Sequence, residues 1–201
     1  FWKGVGHWLR SHADGIVETQ DLVAAFEEAT GRNMQSFFDQ WVYRAGHPVL
    51  RLRWSWDKNG KRGELHLTQT QEVSAKAPAY QFPAKIRVRG RGWRRDIIET
   101  VDSKEHRFLW RLPGEPLDGE FDPDLEVLAA VDFDKPVAMW RRQLSGGKTS
   151  VSRALAAKAV ARWGGEAAVK DLEAAARREA FWGASAEIVA HACGAPIESV
   201  G

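Results

Sequence analysis

The sequence is poor in the residues that staple or anchor a chain. It has one cysteine, Cys193, among 201 residues. An intrachain disulfide is thereby excluded, and so is a zinc site built on thiolates. A chain without disulfides suits a reducing compartment, so the cytoplasm is the expected location, with the periplasm left open. No apolar run approaches the roughly 20 residues that a membrane helix requires, and no membrane partner is expected. Charge of one sign is also lacking. The formal net charge is +2, too small for a field over the whole surface that would draw in nucleic acid. The six histidines are His7, His12, His47, His66, His106 and His191. No two lie four residues apart, the spacing that sets two imidazoles on one helix face to share a metal. Even His7 and His12, five apart, splay around a helix. No catalytic residue, no cofactor-binding residue and no metal ligand is expected in this chain.

What the sequence does have is aromatic weight and three successive periods. Ten tryptophans in 201 residues require large buried aromatic contacts. Residues 1–47 read as helical. Phe1, Val5, Trp8 and Leu9 share one face of the first helix. Thr19 is the expected cap of a second helix, with Asp21 in its first turn, a buried stripe of Leu22, Ala25, Phe26 and Ala29, and Gly31 as its left-handed stop. In "NMQSFFDQWVYRAGHPVLRL", Asn33 is the expected cap. Met34, Phe37, Phe38, Trp41 and Val42 then fall at helical spacing, which predicts a core-facing stripe. Gly46 and Pro48 end that helix.

Residues 48–122 read as strands. Leu50, Leu52, Trp54 and Trp56 alternate with polar residues, "DKNG" is hairpin chemistry, and "ELHLTQTQ" is the partner strand. Further strands are predicted at 84–90, 93–101, 105–112 and 119–122, which together argue for an antiparallel sandwich. Residues 123–201 return to helix after an extended start, the first helix beginning near Lys135-Pro136. "AAKAVARWGG" and "SAEIVAHACG" match at an offset of 29 residues through Ala157/Ala186, Val160/Val189, Ala161/Ala190 and Gly165/Gly194. That is a weak repeat with the spacing of a solenoid helix pair. The chain opens on Phe1-Trp2 inside a helical pattern and closes just past the break "ACGAPIESVG", so it is expected to be a piece of something longer.

Five features invite a functional reading and are met by plainer ones. "AKIRVRGRGWRR" carries Lys85, Arg87, Arg89, Arg91, Arg94 and Arg95, with the first four on one face of a strand. It could serve nucleic acid. The plainer reading is a solvated sheet face balanced by Asp96, Glu99, Asp102 and Glu105, so nucleic acid is not an expected partner. "SGGKTS" resembles the end of a phosphate loop, but Arg142 stands where that pattern needs glycine; a helix connection capped by Thr149 or Ser150 is expected. Asp122 and Asp124 flank Pro123 and read as a turn. Cys193 reads as a small packing residue, and His47 as a turn residue.

The pattern T-x-D-L-x-x-A-F-E-E-A-T-G-x-N-x-x-x-F-F-x-Q-W-V-x-x-x-G-H-P, from Thr19 to Pro48, resembles the end of the catalytic domain in the M1 family of zinc metallopeptidases, the aminopeptidase N-like enzymes. "REAFWGASAEIVAHACG" is similar to that family's solenoid helices, with Ala184 and Ser185 where arginine is common. The resemblance implies a multi-domain α and β chain. Residues 1–47 would be the C-terminal helices of a thermolysin-like catalytic domain, 48–122 a β-sandwich, and 123–201 the start of a HEAT-like helical domain. The family's His-Glu-x-x-His and Gly-x-Met-Glu-Asn motifs are not in this sequence. What it implies, then, is a non-catalytic C-terminal portion of a zinc aminopeptidase, supporting the catalytic domain and lining the substrate cleft. Zinc would be held by the parent protein. The implied partners are a peptide substrate acting through the parent, an upstream catalytic domain and downstream helical repeats. The alternative is a catalytically inactive, peptidase-like scaffold for protein interaction.

Overall fold

The computed structural model describes residues 1–75 and 77–196. The final residues of the expected C-terminal break, 197–201, lie outside them. The described residues form a mixed α and β protein with two sheets, and the chain divides into two compact units, Phe1–His47 and Pro48–Gly201.

The first unit holds α1 (Trp2–Ser11), α2 (Thr19–Thr30) and α3 (Gln35–Phe38), which runs into a π-helical turn at Asp39–Tyr43. Helix α2 is capped one residue earlier than Thr19. Glu18 is extended and shares a reciprocal cap with Asp21, whose carboxylate accepts the Glu18 amide at 2.8 Å. Asp21 thus satisfies an orphan donor as well as the helix dipole. Val23, Ala25 and Phe26 are buried. Helix α1 meets α2 through Gly4, where a Cβ would stand 2.9 Å from the Phe26 ring. Its buried face therefore runs through Gly4, and Leu9 is left 58% exposed.

The aromatic stripe of the third helix is only partly internal. Phe38 is buried, Met34 and Trp41 are half-buried, and Phe37 and Val42 are exposed. For Val42 the reason is the change of helix type. The Arg44 amide reaches back five residues to the Asp39 carbonyl at 3.0 Å, and such a turn takes more residues per revolution than an α-helix. Positions after Phe38 rotate off the stripe that an α-helical period projects. The cap position is Met34 rather than Asn33, whose side-chain oxygen accepts the Gln35 amide from one residue further back at 3.1 Å.

The second unit contains two sheets. One has the order β5-β2-β1-β7, the other β4-β3-β6, with β1 Val49–Asp57, β2 Arg62–Gln69, β3 Phe82–Gly90, β4 Trp93–Val101, β5 Glu105–Arg111, β6 Pro116–Phe121 and β7 Ala130–Asp134. The β1–β2 turn is held by Asp57, whose Oδ1 accepts the Asn59 and Gly60 amides at 3.0 and 3.1 Å. Leu50, Leu52, Leu65 and Leu67 are fully buried, each contributing roughly 1.5–3 kcal/mol before entropy is counted. Trp54, Trp110, Phe108 and His106 stack in series, and Trp110 donates to Glu99 of the other sheet at 2.6 Å. Pairing is antiparallel except at β7, which lies parallel to β1. The extended start foreseen after residue 123 is this strand. It arrives from β6 of the other sheet rather than through a hairpin, so nothing constrains it to run antiparallel.

Four helices follow: α4 (Val137–Gly146), α5 (Ser150–Trp163), α6 (Gly165–Arg178) and α7 (Trp182–Cys193). The α4–α5 connection is capped by Thr149, whose hydroxyl accepts the Ser152 amide at 3.0 Å. Leu144, Ala157, Val160, Leu172 and Ile188 belong to one core. The weak repeat does not carry over into packing. Ala157, Val160 and Ala161 of α5 are buried, whereas their counterparts Ala186, Val189 and Ala190 are exposed. Helix α7 turns Ala184 and Ile188 inward instead. That orientation leaves Cys193 exposed, not packed.

Candidate functional site

The alternation of β3 sends Lys85, Arg87 and Arg89 to one face, and the register supplies each with partners. Arg87 stands directly between Asp96 on β4 and Glu120 on β6, and Arg89 lies opposite Asp118. Arg87 binds Asp96 through two contacts of 2.8 and 2.9 Å. Arg89 binds Asp118 at 2.9 Å and also reaches Glu120. Lys85 pairs with Asp124 and Glu126, each at 2.9 Å. The Arg87 guanidinium holds the Asp96 carboxyl below its usual range, and Asp96 in turn raises Arg87. At Lys85, Arg87 and Arg89 the basic strip is thus neither a solvated face nor a free cationic surface, whereas Arg91, Arg94 and Arg95 are exposed. Arg87, Asp118 and Glu120 are all buried. Of the acids foreseen as counter-charges, Asp96 is a partner; the others come from β6 and the turn behind it. Asp122 is that turn, with φ 45° and its carboxylate accepting the Glu126 and Val127 amides at 2.9 and 2.8 Å.

Helices α4 and α5 extend this network. Ser152 donates to Glu120 at 2.7 Å, and Gln143 donates to the Ser152 carbonyl at 3.0 Å. Lys135, just ahead of α4, donates to the Gly119 carbonyl and to Gln143, both at 2.5 Å. Its ammonium sits 3.9 Å from the Trp140 ring centroid, a cation–π contact. Burial pushes the Lys135 amine down to about 8, only partly countered by Asp118 and Glu120. These groups are committed to one another, so they tie helix to sheet rather than forming a nucleophile and its base.

Over this network lies a cavity of about 520 Å³. Lys135, Trp140, Gln143 and Glu120 line it, with β7 on one wall and α5 on the other. Sequence reading missed it because Lys135 lies in an unremarkable "DKP" and its partners are 8 to 16 residues away. The histidines do not gather here. His7 pairs with Glu28 at 2.8 Å, His106 accepts the Asp102 and Ser103 amides at 3.1 Å, His191 lies 3.8 Å from Glu187, and His47 is exposed. Among the described residues no three His, Cys, Asp or Glu side chains form a group able to hold a metal ion. The described residues therefore offer zinc no ligand set.

No protein-family model matches the chain. Its sequence is similar to proteins concerned with peptide hydrolysis. It is 37% identical over 71 residues to the tricorn protease-interacting factor F2 of Thermoplasma volcanium, covering 35% of this chain and 8% of that protein. It is 37% identical over 60 residues to aminopeptidase N of Streptomyces lividans, covering 30% of this chain and 7% of that one. It is also 30% identical over 77 residues to aminopeptidase M1-A of Oryza sativa subsp. japonica, covering 38% of this chain and 8% of that protein, and these local similarities to aminopeptidases mark a peptidase-related chain. The fold is shared with Legionella pneumophila aminopeptidase A, solved in complex with aspartic acid. The TM-score is 0.70 at 15% identity, over 92% of this chain and 23% of that structure.

Proposed function

We propose that the chain is the non-catalytic C-terminal portion of an M1-type zinc aminopeptidase. In this reading residues 1–47 are the closing helices of a thermolysin-like catalytic domain. The two sheets are its β-sandwich, and α4–α7 begin a HEAT-like solenoid that lines the substrate cleft. The parent would hold zinc and release residues from the N-terminus of a peptide; this chain would supply support. The observation that carries the reading is the sequence similarity to M1 aminopeptidases over 60 to 71 residues, in a chain whose histidines lack the spacing of a zinc helix.

The test is made on the longer parent protein, with the 201-residue chain as control. Zinc content and hydrolysis of aminoacyl-coumarin substrates are measured on both. The expected result is bound zinc and turnover in the parent and neither in the chain. A folded parent without zinc or turnover would establish the inactive scaffold instead, and hydrolysis by the chain alone would overturn its non-catalytic role.

A further inference from the structure

We propose that the groove between β7 and α5 binds an extended peptide strand from a separate polypeptide, through main-chain pairing to the open edge of β7 and an acidic side chain set against α5. The inference is independent of the peptidase reading.

The wall made by β7 is the first observation. Val131, Asp132, Phe133, Asp134 and Lys135 all line the cavity. Successive side chains of a strand point to opposite faces, so five consecutive lining residues mean that the cavity runs along the strand's edge. β7 is the outer strand of its sheet, with β1 on one side and no strand on the other among the described residues. The Ala130 amide donates to the Pro48 carbonyl at 3.0 Å, which turns the main chain of Ala130 toward β1. By the alternation of a parallel pair, Asp132 and Asp134 follow it, while the N–H and C=O of Val131 and Phe133 point outward into the groove. Such an edge is a template for one more strand.

The opposite wall sets the chemistry of the occupant. Ser152, Leu155, Lys158, Ala159, Arg162 and Trp163 line the cavity at the spacing of one helix face. Lys158 and Arg162 are exposed and make no ion pair among the described residues. Of the four carboxylates that line the groove, Asp132 on the β7 wall is exposed and in no ion pair among the described residues, and the other three have partners. Glu120 accepts from Arg89 and Ser152, Asp122 accepts two amides, and Asp134 lies 3.8 Å from Arg53. The uncompensated charge of the α5 wall is therefore positive. Val131, Leu155 and Trp163 are partly exposed along the same groove. A strand seated on β7 would turn alternate apolar side chains to these and an acid to Lys158 and Arg162. Exposed Asp132 keeps the acid on the α5 side by repulsion.

The probe is a fluorescein-labelled heptapeptide alternating valine and glutamate, titrated by anisotropy with the 201-residue chain. Saturable binding is expected. N-methylating the peptide at alternate residues, which removes its donors, should abolish it. Val131→Pro removes one outward donor and leaves the β1 pairing intact. It should weaken binding about tenfold, the effect of one lost hydrogen bond. Lys158→Glu with Arg162→Glu, both on the exposed surface, should reverse the preference toward a valine–lysine peptide. No binding of the glutamate peptide, equal binding of the lysine peptide, or indifference to N-methylation and to Val131→Pro would each overturn the proposal.

Discussion

Strands β1 and β3 carry nearly the same alternation of arginine with apolar residues, and the fold uses them in opposite ways. In β1, Arg51 and Arg53 face water while Leu50 and Leu52 are fully buried. In β3, Ile86 and Val88 are buried, and so is Arg87 between them. A strand's period shows that its two faces differ; it does not show what lies over the polar one. Beside Arg87 and Arg89 lies β6, which α4 and α5 meet and where Ser152 donates to Glu120. Each cation of β3 there meets a carboxylate at hydrogen-bond distance, because an unpaired buried charge would be very costly. The same residues in β1 need no such partners.

The comparison breaks most sharply at Glu120, which is buried and receives both Arg89 and Ser152. Replacing it leaves a partly buried guanidinium and a hydroxyl short of an acceptor. Glu120→Ala is expected to lower the unfolding free energy by about 3–5 kcal/mol, measured by urea titration. A loss below about 1 kcal/mol would show that the covered face is as wet as that of β1.

Lys135 tests the same cover through pH. Its amine titrates near 8 in the fold, against 10.5 for the ordinary side chain. Below pH 8 both states carry the proton and the fold bears the full cost of burying it. Between pH 8 and 10.5 the unfolded chain binds more protons than the folded one, so stability from this group rises with pH. The unfolding free energy of the natural chain minus that of Lys135→Met should climb by roughly 3 kcal/mol across that window. A flat difference would place the ammonium in water.

Much of this frame was legible in the sequence. Strands at 84–90, 93–101 and 105–112 correspond closely to β3, β4 and β5, because alternation and turn chemistry are local. The cap at Thr149 was among the two foreseen for the same reason. What escaped was set by contact or by helix type. The π-helical turn at Asp39–Tyr43 rotates Val42 off its stripe, and no residue there announces it. Gly4 is a contact with Phe26 that only the packed helices reveal. The network of Lys135, Gln143, Ser152 and Glu120 joins positions up to 32 apart. Each looks ordinary alone, and only the register of β6 against β3 brings their partners together.

A milder version of the covered pair lies one residue further along α5, at Arg153. Glu179 accepts Arg153 at 2.6 and 2.8 Å and the Phe181 amide at 3.1 Å. The Arg153 hydrogen bonds foremost hold its carboxyl down to about 2, against an ordinary value of 4.5. A carboxyl lowered in the fold stabilises above pH 4.5, and that contribution fades as pH falls toward 2. Arg153 remains partly solvated, which reduces the effect. Glu179→Gln should cost about 1–2 kcal/mol at neutral pH, with the deficit shrinking from pH 4.5 to 2 in acid unfolding. A deficit unchanged by acid would assign the loss to shape rather than charge.

The smallest effect belongs to the open face, and it is the control on which the contrast turns. Arg53 of β1 lies 3.8 Å from Asp134 of β7, with side chains 67% and 74% exposed. Water screens such a pair and side-chain entropy opposes it, so Asp134→Ala should change stability by less than about 0.5 kcal/mol. Raising the salt concentration should erase even that, since the charges sit in solvent within reach of the ion atmosphere. The two substitutions remove the same kind of carboxylate from the same kind of arginine, differing in what covers them. If Asp134→Ala proved as costly as Glu120→Ala, burial would not be the cause of the difference between the sheets. β7 would then be held to β1 by charge, and its outer edge would be free to accept a further strand only as long as that ion pair survived.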